Sequence, residues 1–190
     1  AHSMGTMIAR IFLKEHDGAI QRLVLCGPPT ENKLAGVGIA LARLLEAFCG
    51  GHHRSKFLHR LAFAGYDKKG EPENSWVCAN PETLSAYQAD PACGFLFTAN
   101  GFAALFSLMQ QCFSKEGWQM RHADLPILLI AGADDPVIQS PAAFEQAAEF
   151  LRQRGYGDIR TRLYPGLRHE LLNERENARI YADVLAWLEE

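Results

Sequence analysis

A chain of 190 residues, 48% of them hydrophobic, is long enough for one domain with a substantial buried core. Its formal net charge of -3, without a Lys/Arg block or basic stripe, argues against a nucleic-acid partner. Five cysteines without a CxxC pair give no disulfide framework and fit a reducing, cytoplasmic setting, and no apolar run approaches the length of a membrane span.

The chain opens on Ala1-His2-Ser3-Met4-Gly5. Small residues two before and two after a serine suit a sharp strand-to-helix turn, where larger side chains would collide and the strained backbone lifts the hydroxyl clear of the sheet. Met4, Met7, Ile8, Ile11 and Phe12 then follow at helical spacing, and Asp17-Gly18 ends the pattern, with Gly18 suited to a left-handed stop. Arg22 to Cys26 is a short apolar run closed by Gly27-Pro28-Pro29, the pattern of a buried strand. No basic segment followed by an apolar core precedes it, so no secretory signal is read, and the chain is expected to lack its natural start.

From Pro28 to about Asp124 helical patterns dominate: Leu34 to Phe48, Ser55 to Ala64, Pro81 to Tyr87 and Phe102 to Phe113. Nearly a hundred residues is too much for a plain crossover between strands, and a mainly helical cap over residues 28–124 is expected. It would divide a core of residues 1–27 and 125–190. Within it, Gly36-Val-Gly38 lacks the third glycine and preceding strand of a dinucleotide fingerprint and fits helix packing instead. The apolar positions Leu34, Val37, Leu41, Leu44, Leu45 and Phe48 suit ordinary core packing, or else an acyl pocket or lipid surface. Phe95, Phe97 and Phe102 carry the same two readings.

Strand and helix alternate again after the cap. Leu125 to Ala131, ended by Gly132, is a second buried strand, and Ile159 to Tyr164, ended by Pro165-Gly166, is a third. Ser140-Pro141 supplies an N-cap and first-turn proline for a helix to about Arg154, and Asn173 with Glu176 has the spacing of a capping box for a helix to about Glu189. This alternation predicts an α/β fold with a parallel sheet.

A serine nucleophile needs a base, and the base needs an orienting carboxylate. Asp135 stands in the turn after the second strand and His169 in the loop after the third, both where open α/β sheets place their ligands. Ser3 would sit at a helix N-terminus, with the backbone N–H of Met4 as an oxyanion donor. His52, His53 and His59 make no metal site, since adjacent histidines do not face one ion and no Cys or carboxylate completes the set.

Three segments together resemble the lysophospholipase and monoacylglycerol lipase branch of the α/β hydrolases. Leu-Pro-Ile-Leu-Leu-Ile-Ala-Gly-Ala-Asp-Asp-Pro-Val is similar to its acid-bearing strand and loop, Tyr-Pro-Gly-Leu-Arg-His-Glu-Leu-Leu-Asn-Glu to its histidine loop, and Asp90 to Thr98 to its cap. The resemblance implies the C-terminal portion of an α/β-hydrolase fold, with Ser3 as nucleophile, His169 as general base and Asp135 as its orienting acid. The family acid stands three residues after the glycine, which selects Asp135 over Asp134. It also implies a fatty-acyl ester substrate, a lysophospholipid or monoacylglycerol, with no cofactor or metal and with lipid-surface contact through the cap. The first elbow position is Ala1 where the family favours glycine, and the family's strands before the elbow have no counterpart here. A peptidase or small-ester hydrolase, or a non-catalytic fragment, stays open as an alternative. His2 is expected to pack or hydrogen-bond at the elbow, and Arg168 and Glu170 either support His169 or are merely solvated.

Overall fold

A computed structural model describes residues 1–190. Three strands, β1 (Leu23–Cys26), β2 (Ile127–Gly132) and β3 (Ile159–Tyr164), form one parallel sheet in the order β1-β2-β3. All six residues of β2 are buried, which is why its sequence is an unbroken apolar run: the central strand of a sheet covered on both faces has no polar side. β3 has one wet face, where Arg162 pairs with Asp183 at 3.0 Å. Along β2 the side chains alternate between two cores. Ile127 and Leu129 meet Leu13 of helix α1 (Met4–His16) and Phe144 and Leu151 of α6 (Pro141–Arg152), while Leu128 and Ile130 meet Ile180 and Trp187 of α7 (Asn177–Leu188).

Four helices lie between β1 and β2: α2 (Ala35–Cys49), α3 (Lys56–Ala62), α4 (Pro81–Ala89) and α5 (Ala99–Cys112). The close packing of α2 on α5 explains Gly38, the second glycine of the pair in α2. A Cβ at Gly38 would lie 2.8 Å from the Phe106 ring, so the helices approach at a position only glycine allows. Helix α5 also packs on α1, and Arg10 of α1 is buried at that junction without an ion pair. Its guanidinium reaches Pro29 O and Cys112 O, both at 3.5 Å, and lies 4.0 Å over the Phe113 ring. Burial holds its pKa below the ordinary value, and the carbonyl end of α5 supplies the compensating negative potential.

Several local expectations are corrected. Helix α1 does not end on a left-handed Gly18: it runs into a 3₁₀ turn, Asp17–Ala19, and Gly18 lacks a positive φ. No capping box opens α7, because Asn173 lies in a separate 3₁₀ turn and its amide donates to Glu170 Oε2 at 2.8 Å. Helix α5 starts at Ala99 rather than Phe102, because the Thr98 hydroxyl accepts the Gly101 N–H at 3.0 Å. Helix α2 buries its small side, Ala35, Gly38 and Ala42, while Leu34, Val37, Leu44 and Phe48 stay exposed. Small residues permit the close contact with α5, Ile39, Leu41 and Leu45 pack at its margins, and the other large residues face outward.

Asp17 ties the end of α1 to the segment before β2. Its fully buried carboxylate accepts backbone N–H bonds from Gly18 (2.9 Å), Arg121 (2.8 Å) and His122 (3.0 Å) and faces the Tyr156 hydroxyl at 3.4 Å. Burial opposes its ionisation, but these donors outweigh that penalty and hold its pKa below the usual carboxylate range. The folded pKa is depressed, so the stability it contributes is present above the unfolded pKa and lost as pH falls through the folded one. Asp17→Asn should lower Tm at pH 7 by about 3–6 °C. Thermal melts should show the gap to the parent closing below about pH 4.

Candidate functional site

Ser3, Asp135 and His169 converge at the C-terminal ends of the strands. Ser3 is fixed beside the end of β1, where Cys26 N–H donates to Ala1 O (2.9 Å) and Ser3 N–H donates to Cys26 O (3.0 Å). Its backbone is strained, with φ 50 and ψ −124, a conformation that non-glycine residues rarely adopt. Crowding at Gly5 does not explain this turn, since a Cβ there would meet nothing within 4 Å; the strain is concentrated in Ser3 itself. Met4 opens α1, so its N–H has no acceptor four residues back and is free to serve a ligand at the mouth of the turn.

Asp135 and His169 are brought together by a glycine. A Cβ at Gly132 would lie 2.1 Å from Leu167 O, so only glycine lets the end of β2 pass beneath the loop that carries His169. Asp134 N–H donates to Leu167 O at 3.0 Å and fastens the two loops. The Asp134 side chain is exposed, whereas Asp135 is 3% exposed and caps the turn Pro136–Ile138 by accepting Val137 N–H at 2.8 Å. His169, also 3% exposed, places Nδ1 2.8 Å from Asp135 Oδ2 and Nε2 2.7 Å from Ser3 Oγ. A carboxylate only accepts, so Nδ1 carries the proton, and Nε2 is left as the acceptor for the Ser3 hydroxyl. The row can therefore take a proton from Ser3 and hold the resulting imidazolium beside a negative charge.

His2 sits beside this row. Its ring centroid is 4.7 Å from that of His169, its Nε2 lies 3.1 Å from His169 O, and Glu170 is at 3.9 Å. Burial and then the neighbouring His169 lower its pKa, with Glu170 opposing. It is a packing and hydrogen-bonding partner, as expected of that elbow position. Arg168 is not simply solvated, since it pairs with Glu71 at 2.7 Å.

The row opens into a cleft of about 960 Å³. Ser3, Met4 and Met7 line it from α1, and Leu105, Phe106 and Met109 from α5. Phe95 and Phe97 reach it, but Phe102 is buried beneath in the helical core. No residue of α2 reaches it, so that helix forms no part of a pocket at Ser3. Burial, followed by the charge of Asp135, pushes the Tyr66 phenol up to about 12, so this cleft residue stays protonated and uncharged at neutral pH.

Sequence reading missed three residues around His169. Gly27, taken only as a strand stop, has φ 56 and leaves room for the His169 ring: a Cβ there would sit 3.0 Å from its Nδ1 and 3.4 Å from Asp135 Oδ2. Trp76 packs its ring 5.2 Å from His169 and offers its carbonyl to the His169 N–H. Glu174 is 2% exposed and bonded to the same loop. The glycine at a strand end was the one signal within reach; Trp76 meets His169, and Glu174 meets Ala79 and Asn80, across more than ninety residues of sequence.

Residues 1–176 match the family described as serine aminopeptidase, S33. A monoacylglycerol lipase of Mycolicibacterium smegmatis is 28% identical over 98% of the chain, which spans 60% of that protein's length. A thermostable carboxyl esterase of Bacillus coagulans, solved with glycerol, superposes with a TM-score of 0.82 at 23% identity, over 100% of this chain and 63% of its own. The Paleococcus ferrophilus monoacylglycerol lipase gives 0.70 at 18% identity, over 98% and 65%. The parallel sheet, the helices on both its faces and the match over residues 1–176 agree: the chain has an α/β-hydrolase fold and belongs to the serine aminopeptidase S33 family.

Proposed function

We propose that this protein is a serine ester hydrolase acting on fatty-acyl esters, with monoacylglycerol or lysophospholipid as substrate. The row Ser3–His169–Asp135, with both hydrogen bonds formed and opening on an apolar cleft, carries the reading. In this scheme Ser3 Oγ attacks the ester carbonyl while its proton passes to His169 Nε2, and Asp135 stabilises the imidazolium. The tetrahedral oxyanion takes a hydrogen bond from Met4 N–H. Its collapse releases the alcohol, which leaves with the proton from Nε2. Water, giving a proton to the same nitrogen, then attacks the acyl-serine and frees the acid and Ser3. The scheme uses three side chains and a backbone N–H and calls for no cofactor. The helices between β1 and β2 would act as a cap over the acyl chain, with Met7, Leu105, Phe106 and Met109 along it. The exposed apolar face of α2 would provide the lipid-surface contact. No helix is long and apolar enough to cross a membrane.

Nitrophenyl esters from two to sixteen carbons, monoacylglycerol and lysophosphatidylcholine test the substrate. Faster turnover of the medium and long chains is expected, and turnover confined to acetate would overturn the fatty-acyl assignment. The family description favours one second reading, a peptidase. Aminoacyl nitroanilides decide it: their hydrolysis in preference to esters would establish the peptidase and displace the esterase.

A further inference from the structure

Glu174, five residues beyond His169, is 2% exposed and has no cationic partner. A buried carboxylate is unfavourable unless hydrogen bonds replace its water, and here three backbone N–H groups do so. Arg168 (3.0 Å) and Ala79 (2.9 Å) donate to Oε1, and Asn80 (3.1 Å) donates to Oε2. One donor thus belongs to the residue just before His169, and the other two to the strap of residues 71–80 that leads into α4. Further bonds join the same two segments. Glu170 N–H donates to Val77 O at 2.7 Å, and the Arg168 guanidinium reaches Ser75 O and pairs with Glu71 at 2.7 Å. The strap in turn lines the cleft through Glu73, Asn74 and Trp76.

The His169 loop has no regular secondary structure, and the bond from His169 N–H to Trp76 O is long, at 3.4 Å. The direction of the imidazole is therefore set from either side, at 168 and 170, and through the Trp76 ring. Resting on the ester-hydrolase reading above, we infer that Glu174, assisted by the Arg168 side chain, is a positioning residue. Its carboxylate staples the histidine loop to the 71–80 strap and so keeps His169 within hydrogen-bond reach of both Ser3 and Asp135. Neither residue touches the reacting atoms, so their loss acts through alignment and falls on kcat.

Glu174→Gln keeps the size but turns one acceptor into an amide that faces N–H groups. Three readouts decide: kcat and KM on a nitrophenyl ester, the rate of Ser3 labelling by a fluorophosphonate, and the downfield proton resonance of His169 Nδ1. The expected result is a fall in kcat of about 10- to 100-fold with KM within about twofold, slower labelling, and a shifted or broadened resonance. Unchanged kcat and resonance, whatever happens to Tm, would overturn the inference and leave Glu174 a purely structural residue. If the glutamine variant does not fold, Arg168→Met, which releases Glu71 and Ser75 O but keeps the backbone bond to Glu174, is judged by the same readouts. An unlabelled Ser3 in the parent protein would instead sink the hydrolase reading itself, so the two failures are distinguishable.

Discussion

Ser3→Ala should abolish fluorophosphonate labelling and lower kcat for a fatty-acyl ester by on the order of 10⁶-fold. The Oγ removed is the only nucleophile that His169 Nε2 faces, at 2.7 Å, and alanine offers neither a bond to the carbonyl nor a proton to the base. Asp135→Asn should cost about 10⁴-fold. An asparagine that turns its amide towards His169 forces Nδ1 to accept, puts the ring proton on Nε2 and leaves Ser3 without a base. Asp134→Asn is the control. Its side chain is exposed and outside the row, so kcat should stay near that of the parent. A large loss at Asp134 with none at Asp135 would reverse the assignment of the acid. Retained labelling in Ser3→Ala would place the nucleophile elsewhere.

The second large effect is expected at Gly27. Alanine there meets two separate penalties. At φ 56 the backbone conformation is unfavourable for an L side chain by roughly 1–2 kcal/mol. The new methyl would also lie 3.0 Å from His169 Nδ1 and 3.1 Å from Cε1, tighter than most carbon contacts, and the ring is the part that can yield. Gly27 N–H bonds Ile130 O at 2.8 Å and so continues the sheet ladder, which resists a shift of the backbone. The imidazole should therefore move by a few tenths of an ångström, away from a geometry in which both of its hydrogen bonds are short. A displacement of that order is expected to lower kcat by about 10²-fold while Tm falls by only a few degrees. Steady-state kinetics beside a thermal melt checks it, and a variant with normal kcat would show that the contact does not constrain the ring.

Much of this architecture was legible in the residues. The apolar run of β2, the capped start of α6 at Ser140-Pro141 and the breaks at Gly27 and Pro165-Gly166 are local signals, because strand burial, N-capping and proline stops act within a few residues. Asp135 and His169 stood out because each lies in a turn just past a legible strand and Ser3 because a helical pattern follows it, and the resemblance to the hydrolase segments joined the three and chose Asp135 over Asp134. Reading failed where the deciding partner is distant in sequence. The stop at Gly18 gave way to the fastening of Asp17 on Arg121 and His122; the capping box of Asn173 and Glu176 is the exception, lost to a local rival, the bond from Asn173 to Glu170. Apolar spacing in α2 identified a helix and, in Leu41 and Leu45, part of its packed side, but the centre of the contact with Phe106 falls on the small residues around Gly38 while Val37, Leu44 and Phe48 stay exposed.

By itself, then, the sequence determined the alternation of strands and helices, the α/β class and the identity of the three residues that meet at the site. Periodicity, caps and turn chemistry are written in neighbouring residues. The tertiary structure decided the two short hydrogen bonds that make those residues a row, the space that Gly27 and Gly132 leave for it, and the strap that Glu174 holds against the histidine loop. Each of those depends on how closely two remote stretches of backbone approach, and that distance is fixed only when the sheet and its helices pack.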